Sequence, residues 1–146
     1  MLIGISPLLS PDALHVLRAM GHGDEIALVD GNYPAQEHAR RLVRLDGLPL
    51  VPVLEAILAL LPLDHAVAAP ILRTAEGNAP PARSAIHDQI DTACARMAPG
   101  HAVQAIAGAE FYPRVRNACC VIATGERALF ANVILRKGVI LPGAAG

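Results

Sequence analysis

A histidine stands between two glycines in the segment Gly21-His22-Gly23-Asp24-Glu25, and this arrangement is the strongest chemical feature of the sequence. Glycines remove side-chain bulk on either side of the ring, so a ligand can approach it closely. An imidazole, with an ordinary pKa of about 6.5, gives or accepts a proton near neutral pH at small cost. Asp24, two residues on, is placed to orient that ring or to stabilise its charged form. The same position also suits a histidine that caps the end of a helix through its last carbonyls. Asp30 follows an apolar run and can accept hydrogen bonds from two neighbouring hydroxyls, a geometry that fits a sugar diol. An aspartate before Gly31 equally suits a plain turn.

The elements that must position these residues are legible around them. Ser10-Pro11-Asp12 reads as a helix start, with a serine cap, proline at the first helical position and an acid near the positive end. Leu14, Leu17 and Met20 recur at helical spacing, and Gly21 is placed to stop the helix. Ile26 to Val29 is a continuous apolar run ended by Asp30-Gly31-Asn32, the pattern of a strand buried on both faces, and Asp30 then stands at its carboxyl end, where open α/β sheets collect ligands. Pro52 is read as opening a second helix whose apolar face is Val53, Leu54, Ile57, Leu58 and Leu61, with Pro62 ending it. Ala66 to Leu72 reads as a core strand, Thr74 to Pro81 as a loop, and Ile86, Ile90, Ala93, Cys94 and Met97 as the face of a third helix. Strands are expected at Val103 to Ala107, Cys119 to Ala123 and Asn132 to Leu135, with a short helical piece at Tyr112 to Asn117 and a turn at Gly125-Glu126. Helices alternating with apolar strands predict an α/β fold in three layers, a mostly parallel or mixed central sheet covered by helices on both faces. The 146 residues carry no linker-like stretch and predict one domain, 1–146.

Several classes of function fall away. Gly21-His22-Gly23 follows a helix rather than a strand and no Gly-Lys-Ser/Thr occurs, so there is no phosphate loop. No Gly-x-Ser-x-Gly elbow marks a serine hydrolase. A net charge of −1 leaves no cationic excess for a nucleic acid. Leu48 to Leu63 is interrupted by Pro49, Pro52, Glu55 and Pro62, which rules it out as a bilayer span. The start, Met1 to Pro7, lacks the basic and apolar regions of a signal peptide, so a cytoplasmic location is expected. Cys94, Cys119 and Cys120 form an odd set without a Cys-x-x-Cys pair or zinc spacing; reduced, buried thiols and no metal are expected. With 53% apolar and only 17% charged residues, part of the apolar surface is expected to face other copies of the chain.

Taken together, Ile5-Ser6-Pro7-Leu8-Leu9-Ser10-Pro11, Met20-Gly21-His22-Gly23-Asp24-Glu25, Asp30 with Pro34, Arg44-x-Asp46-Gly47-Leu48, Phe111-Tyr112-x-Arg114, Thr124-Gly125-Glu126-Arg127 and Asn132 to Val139 resemble the bacterial sugar mutarotase family, on its L-fucose branch rather than its D-ribose pyranase branch. The match runs in order along nearly the whole chain and is least distinctive from Pro62 to Ala107. The resemblance implies a homo-oligomer, a ring or decamer, with pockets near subunit interfaces and with neither metal nor organic cofactor. It implies His22 as general acid/base, Asp30 as a ligand of sugar hydroxyls and Asn132 as a second ligand. At two positions the chain departs from the family. Phe130 stands where relatives usually have tyrosine, and Gly108 where they have a basic or imidazole side chain. Both changes bear on which sugar is accepted.

The reaction implied is mutarotation. His22 protonates the ring oxygen, Asp30 and Asn132 hold the other hydroxyls, and Asp24 or a water takes the proton of the anomeric hydroxyl. The competing readings are a non-catalytic monosaccharide-binding accessory of transport or regulation, in which His22 only donates a hydrogen bond, a D-ribose pyranase-type isomerase, and a structural ring with a vestigial pocket.

Overall fold

The computed structural model describes residues 1–143. Its elements run α1 (Pro11–Ala19), β1 (Glu25–Val29), α2 (Ala35–His38), β2 (Leu42–Leu45), α3 (Leu50–Leu58), β3 (Ile71–Arg73), a 3₁₀ turn (Glu76–Asn78), α4 (Ala85–Met97), β4 (Val103–Ala105), α5 (Gly108–Asn117), β5 (Cys120–Thr124) and β6 (Val133–Arg136). The strands form one six-stranded sheet in the order β2-β5-β1-β6-β3-β4. β6 runs antiparallel to both of its neighbours, and the other pairings are parallel.

Both faces of this sheet are covered, which is why its strands read as continuous apolar runs. Ile26 and Leu28 of β1 join a core with Val16 and Leu17 of α1, Leu54 and Ile57 of α3, and Ile90 and Cys94 of α4. Ala27 and Val29, one residue out of phase, join a second core with Ala35 of α2 and with Phe111 and Val115 of α5. Side chains alternate across a strand, so one five-residue segment supplies both layers. The three-layer α/β/α arrangement expected from the sequence is the one observed.

Local departures have identifiable causes. In α1, the Ser10 hydroxyl accepts from Ala13 N–H at 3.2 Å, as its cap position predicts. α3 begins two residues earlier than Pro52, with Pro49 at its cap position. Proline is tolerated at the third helical position because the first four N–H groups have no partner within the helix. The expected strand from Ala66 to Leu72 shrinks to Ile71–Arg73. The Asp64 carboxylate accepts from Ala66 N–H and folds the chain into a turn before the sheet is joined. α5 starts at Gly108 and passes through Pro113, because Phe111 and Val115 bury completely against the sheet and outweigh the lost N–H. α2 and β2 have no counterpart in the sequence reading. α2 is a single turn, and β2 is a four-residue edge strand, in which buried Val43 and Leu45 alternate with exposed Arg44 over too short a stretch for the period to stand out.

Candidate active site

The turn between α1 and β1 is built from its own backbone. Gly21 N–H donates to Asp24 Oδ2 at 2.7 Å, and Asp24 N–H returns to the Gly21 carbonyl at 3.2 Å. Gly23 has a φ of +85°, a left-handed conformation that favours glycine, and a Cβ there would lie 3.1 Å from an Arg136 nitrogen. Gly23 N–H also donates to the Lys137 carbonyl at 2.8 Å, pinning the turn to the end of β6. His22 projects from this fixed turn with its side chain 53% exposed. The sequence expectation for Asp24 needs correction. Its carboxylate is turned back onto Gly21 to close the turn, and the carboxylate beside the imidazole is Asp64, with Oδ2 3.4 Å from His22 Nε2.

Asp64 is an anchored anion. Its side chain is 2% exposed, Oδ1 accepts from Ala66 N–H at 3.0 Å and Oδ2 from Arg136 Nε at 2.9 Å. The Ala66 N–H and then the Arg136 guanidinium hold its pKa down to about 2, so it is ionised near neutral pH. Arg136 lies 3.8 Å from Glu25, which in turn holds Arg114 at 3.0 Å. A half-exposed imidazole backed by a fixed, ionised carboxylate is an acid–base pair: the carboxylate orients the ring and stabilises its protonated form.

Asp30 follows β1 at the opposite end. It is 5% exposed, and its Oδ1 accepts from Asn32 N–H at 2.9 Å. Asn132, one residue before β6, clasps it twice: Asp30 N–H donates to Asn132 Oδ1 at 2.9 Å, and Asn132 Nδ2 donates to Asp30 Oδ2 at 3.1 Å. Burial raises the pKa of Asp30 against the opposing pull of the Asn32 N–H and the Asn132 amide. Beside it opens a cavity of about 260 Å³ whose wall includes Asp30, Tyr33, Glu37, Arg44, Asp46 and Thr124. This is smaller than the pockets that hold drug-sized ligands and is of a size for a single small polar molecule.

Phe130 and Gly108 lie at the same end of the sheet as Asp30, where β6 begins and where β4 passes into α5, but neither is part of that cavity wall. Phe130 has a left-handed backbone, φ 59°. The space above Gly108 is filled by Asn78, whose Cβ and Cγ would stand 2.9 Å from any Cβ placed at 108. The absence of a side chain at 108 is therefore matched by a neighbour packed into its place. Asn132 acts on the cavity through Asp30. The structure brings Asp30, Asn132, Phe130 and Gly108 to one end of the sheet and His22 and Asp24 to the other.

Asp64 and Arg136 escaped the sequence reading, since the pair is 72 residues apart and Asp64 follows an apolar run without a motif of its own. Among the described residues, no three His, Cys, Asp or Glu side chains gather closely enough to hold a metal ion. Cys94, Cys119 and Cys120 are free thiols.

The fold and these two polar centres define an α/β protein with a histidine–carboxylate pair at one end of its central strand and a polar cavity beside a buried carboxylate at the other. Known proteins share that frame over nearly its whole length. The chain belongs to the RbsD / FucU transport protein family, whose pattern matches residues 3–140. A fucose mutarotase from Homo sapiens is 39% identical over 143 residues, 94% of this chain and 93% of that protein. An L-fucose mutarotase from Glaesserella parasuis serovar 5 (strain SH0165) is 37% identical over 140 residues, 95% of this chain and 96% of that protein. The crystal structure of the fucose mutarotase from Streptococcus pneumoniae in complex with L-fucose superposes with a TM-score of 0.82 at 37% identity, covering 96% of this chain and 100% of that one.

Proposed function

We propose that this protein is a monosaccharide mutarotase, an isomerase that interconverts the α and β anomers of free L-fucose or a closely related pyranose. The observation that carries the reading is the half-exposed His22 imidazole on a glycine-flanked turn, backed by the anchored Asp64 carboxylate. Near full-length similarity to proteins named as fucose mutarotases supports it. His22 as imidazolium gives a proton to the ring oxygen while a water takes one from the anomeric hydroxyl. The C1–O5 bond breaks, C1 becomes an aldehyde and O5 a hydroxyl, and rotation about C1–C2 before the reverse transfers yields the other anomer. One proton enters and one leaves, so no cofactor is consumed. Positioned proton transfer contributes about 10²- to 10⁴-fold, ample for a reaction that already proceeds in water.

A sugar held at Asp30 cannot meet His22 of the same copy. β1 has five residues, and at ~3.3 Å per residue it separates the two ends by about 16 Å. The complete site therefore pairs Asp30 of one copy with His22 of a second, in a ring or decamer. An apolar groove of about 580 Å³, lined by Leu2, Leu14, Leu60 and Ile140 and bordered by Lys137 and Gly138 after β6, is the surface we assign to that contact. Two cores sharing one sheet support a single domain. Among the described residues no helix is long and apolar enough to cross a membrane. The free thiols support the cytoplasmic placement.

Saturation-transfer NMR tests the reading. The parent protein is expected to accelerate anomer exchange of L-fucose, and His22→Ala to lose that exchange while sugar affinity stays within a few fold. A parent that binds the sugar without accelerating exchange is a binding accessory, as the word transport in the family description would suggest. Running galactose and ribose beside fucose fixes the preferred sugar.

A further inference from the structure

One set of polar groups has no task in the scheme above: the buried Tyr33 and His38 and the exposed Arg116 that faces them. Tyr33 forms part of the cavity wall beside Asp30, and its Oη lies 2.9 Å from His38 Nδ1. Across the ring, His38 Nε2 lies 2.8 Å from an Arg116 Nη. A guanidinium has donors and no acceptor, so Nε2 must accept and Nδ1 must carry the hydrogen of the neutral ring. That hydrogen is donated to Tyr33 Oη. The phenol's own hydrogen then has no partner among the described residues.

Other features agree with this assignment. Burial, and then the Arg116 cation, lowers the pKa of His38, which keeps the ring neutral with a lone pair for Arg116. Burial, and then Tyr112, raises the pKa of Tyr33, which keeps its hydrogen in place. The Tyr33 ring is stacked on Tyr112 with centroids 5.6 Å apart and meets His38 edge-on, so its direction is set by packing on two sides.

We infer that Tyr33 is a substrate-contacting residue of the mutarotase site: its hydroxyl donates a hydrogen bond to an oxygen of the sugar held at Asp30, and His38 and Arg116 are positioning residues whose chain of donors leaves that hydrogen free. The inference rests on the reading that the sugar binds at Asp30. Asp30 and Tyr33 both line the cavity, and because a sugar hydroxyl both donates and accepts, a carboxylate acceptor and a phenol donor would offer both halves of that match.

Tyr33→Phe keeps the ring and removes only the hydroxyl. It is expected to lower kcat/KM for L-fucose exchange about tenfold, the loss of one hydrogen bond, and to lower the melting temperature by a few degrees while the protein stays folded at assay temperature, because the buried His38 Nδ1–H loses its acceptor. His38→Leu is expected to lower kcat/KM as well, and the double variant to be no worse than Tyr33→Phe alone, because His38 acts through Tyr33. Additive losses in the double variant overturn the positioning role. If Asp30→Ala abolishes sugar binding while Tyr33→Phe leaves kcat and KM within twofold of the parent, the phenol is idle and the inference fails, though the site stands. If Asp30→Ala leaves both binding and exchange intact, the sugar lies elsewhere and the underlying reading fails with it.

Discussion

Two aspartates at opposite ends of one strand, both almost wholly enclosed, are driven in opposite directions. Asp64, at the His22 end, is held down to about 2 by the Ala66 N–H and the Arg136 guanidinium. Asp30, at the far end, is raised, because its partners are a neutral amide and backbone N–H groups that do not fully offset burial. Low exposure alone therefore does not decide what a carboxylate does; the balance between desolvation and the hydrogen-bond donors that face it, neutral and charged, decides. Asp64 is a permanent anion, suited to stabilising an imidazolium. Asp30 is a desolvated acceptor, suited to holding hydroxyls.

His22→Ala is the variant expected to have the largest effect, since it removes the proton carrier: a loss of about 10²-fold or more in anomer exchange, with sugar affinity nearly unchanged. Next comes Asp64→Asn. It keeps an acceptor for Ala66 N–H but removes the negative charge, and exchange is expected to fall roughly tenfold to a hundredfold, less than the full acid–base contribution. Equal rates for this variant and the parent would break the contrast between the two ends.

Acid titration of stability sharpens the same contrast. The folded pKa of Asp64 lies below its unfolded value of about 3.9, so its contribution is present above that value and is lost as pH falls through about 2. Asp30 has a folded pKa above its unfolded value, so its contribution is present below about 3.9 and is lost as pH rises through the folded value. Urea unfolding between pH 2 and 6 is therefore expected to show the advantage of parent over Asp64→Asn shrinking with acidity, and that over Asp30→Asn growing. The smallest effect belongs to Asp24→Asn. Its carboxylate closes only a local turn, so a stability loss of about 0.5–1.5 kcal/mol and exchange within a few fold of the parent are expected, by thermal melting and NMR.

Much of this frame is visible in the sequence because it is local. The Ser10 cap, the apolar run Ile26 to Val29 and the glycines around His22 each act within a few residues. Boundaries slipped where a distant partner intervened. The short helical piece expected from Tyr112 to Asn117 begins four residues earlier, at Gly108, because Phe111 and Val115 find the sheet. The expected strand at Ala66 gives way to a turn held by Asp64. A spacing of two residues points to Asp24 as the partner of His22, but the Asp24 carboxylate accepts from the Gly21 N–H instead.

Local pattern along the chain is enough to specify a covered α/β sheet, an imidazole on an open turn and a carboxylate at the end of the first strand. These follow from periodicity, capping and glycine placement, which are properties of neighbouring residues. Long-range packing is needed to bring Asp64 to the imidazole, to close Asn132 on Asp30, and to place Arg116 where it sets the tautomer of His38 and so the direction of the Tyr33 hydroxyl. Each of those contacts joins residues 42 to 102 positions apart, or depends on one that does, and no local pattern encodes a distance that the sheet order alone creates.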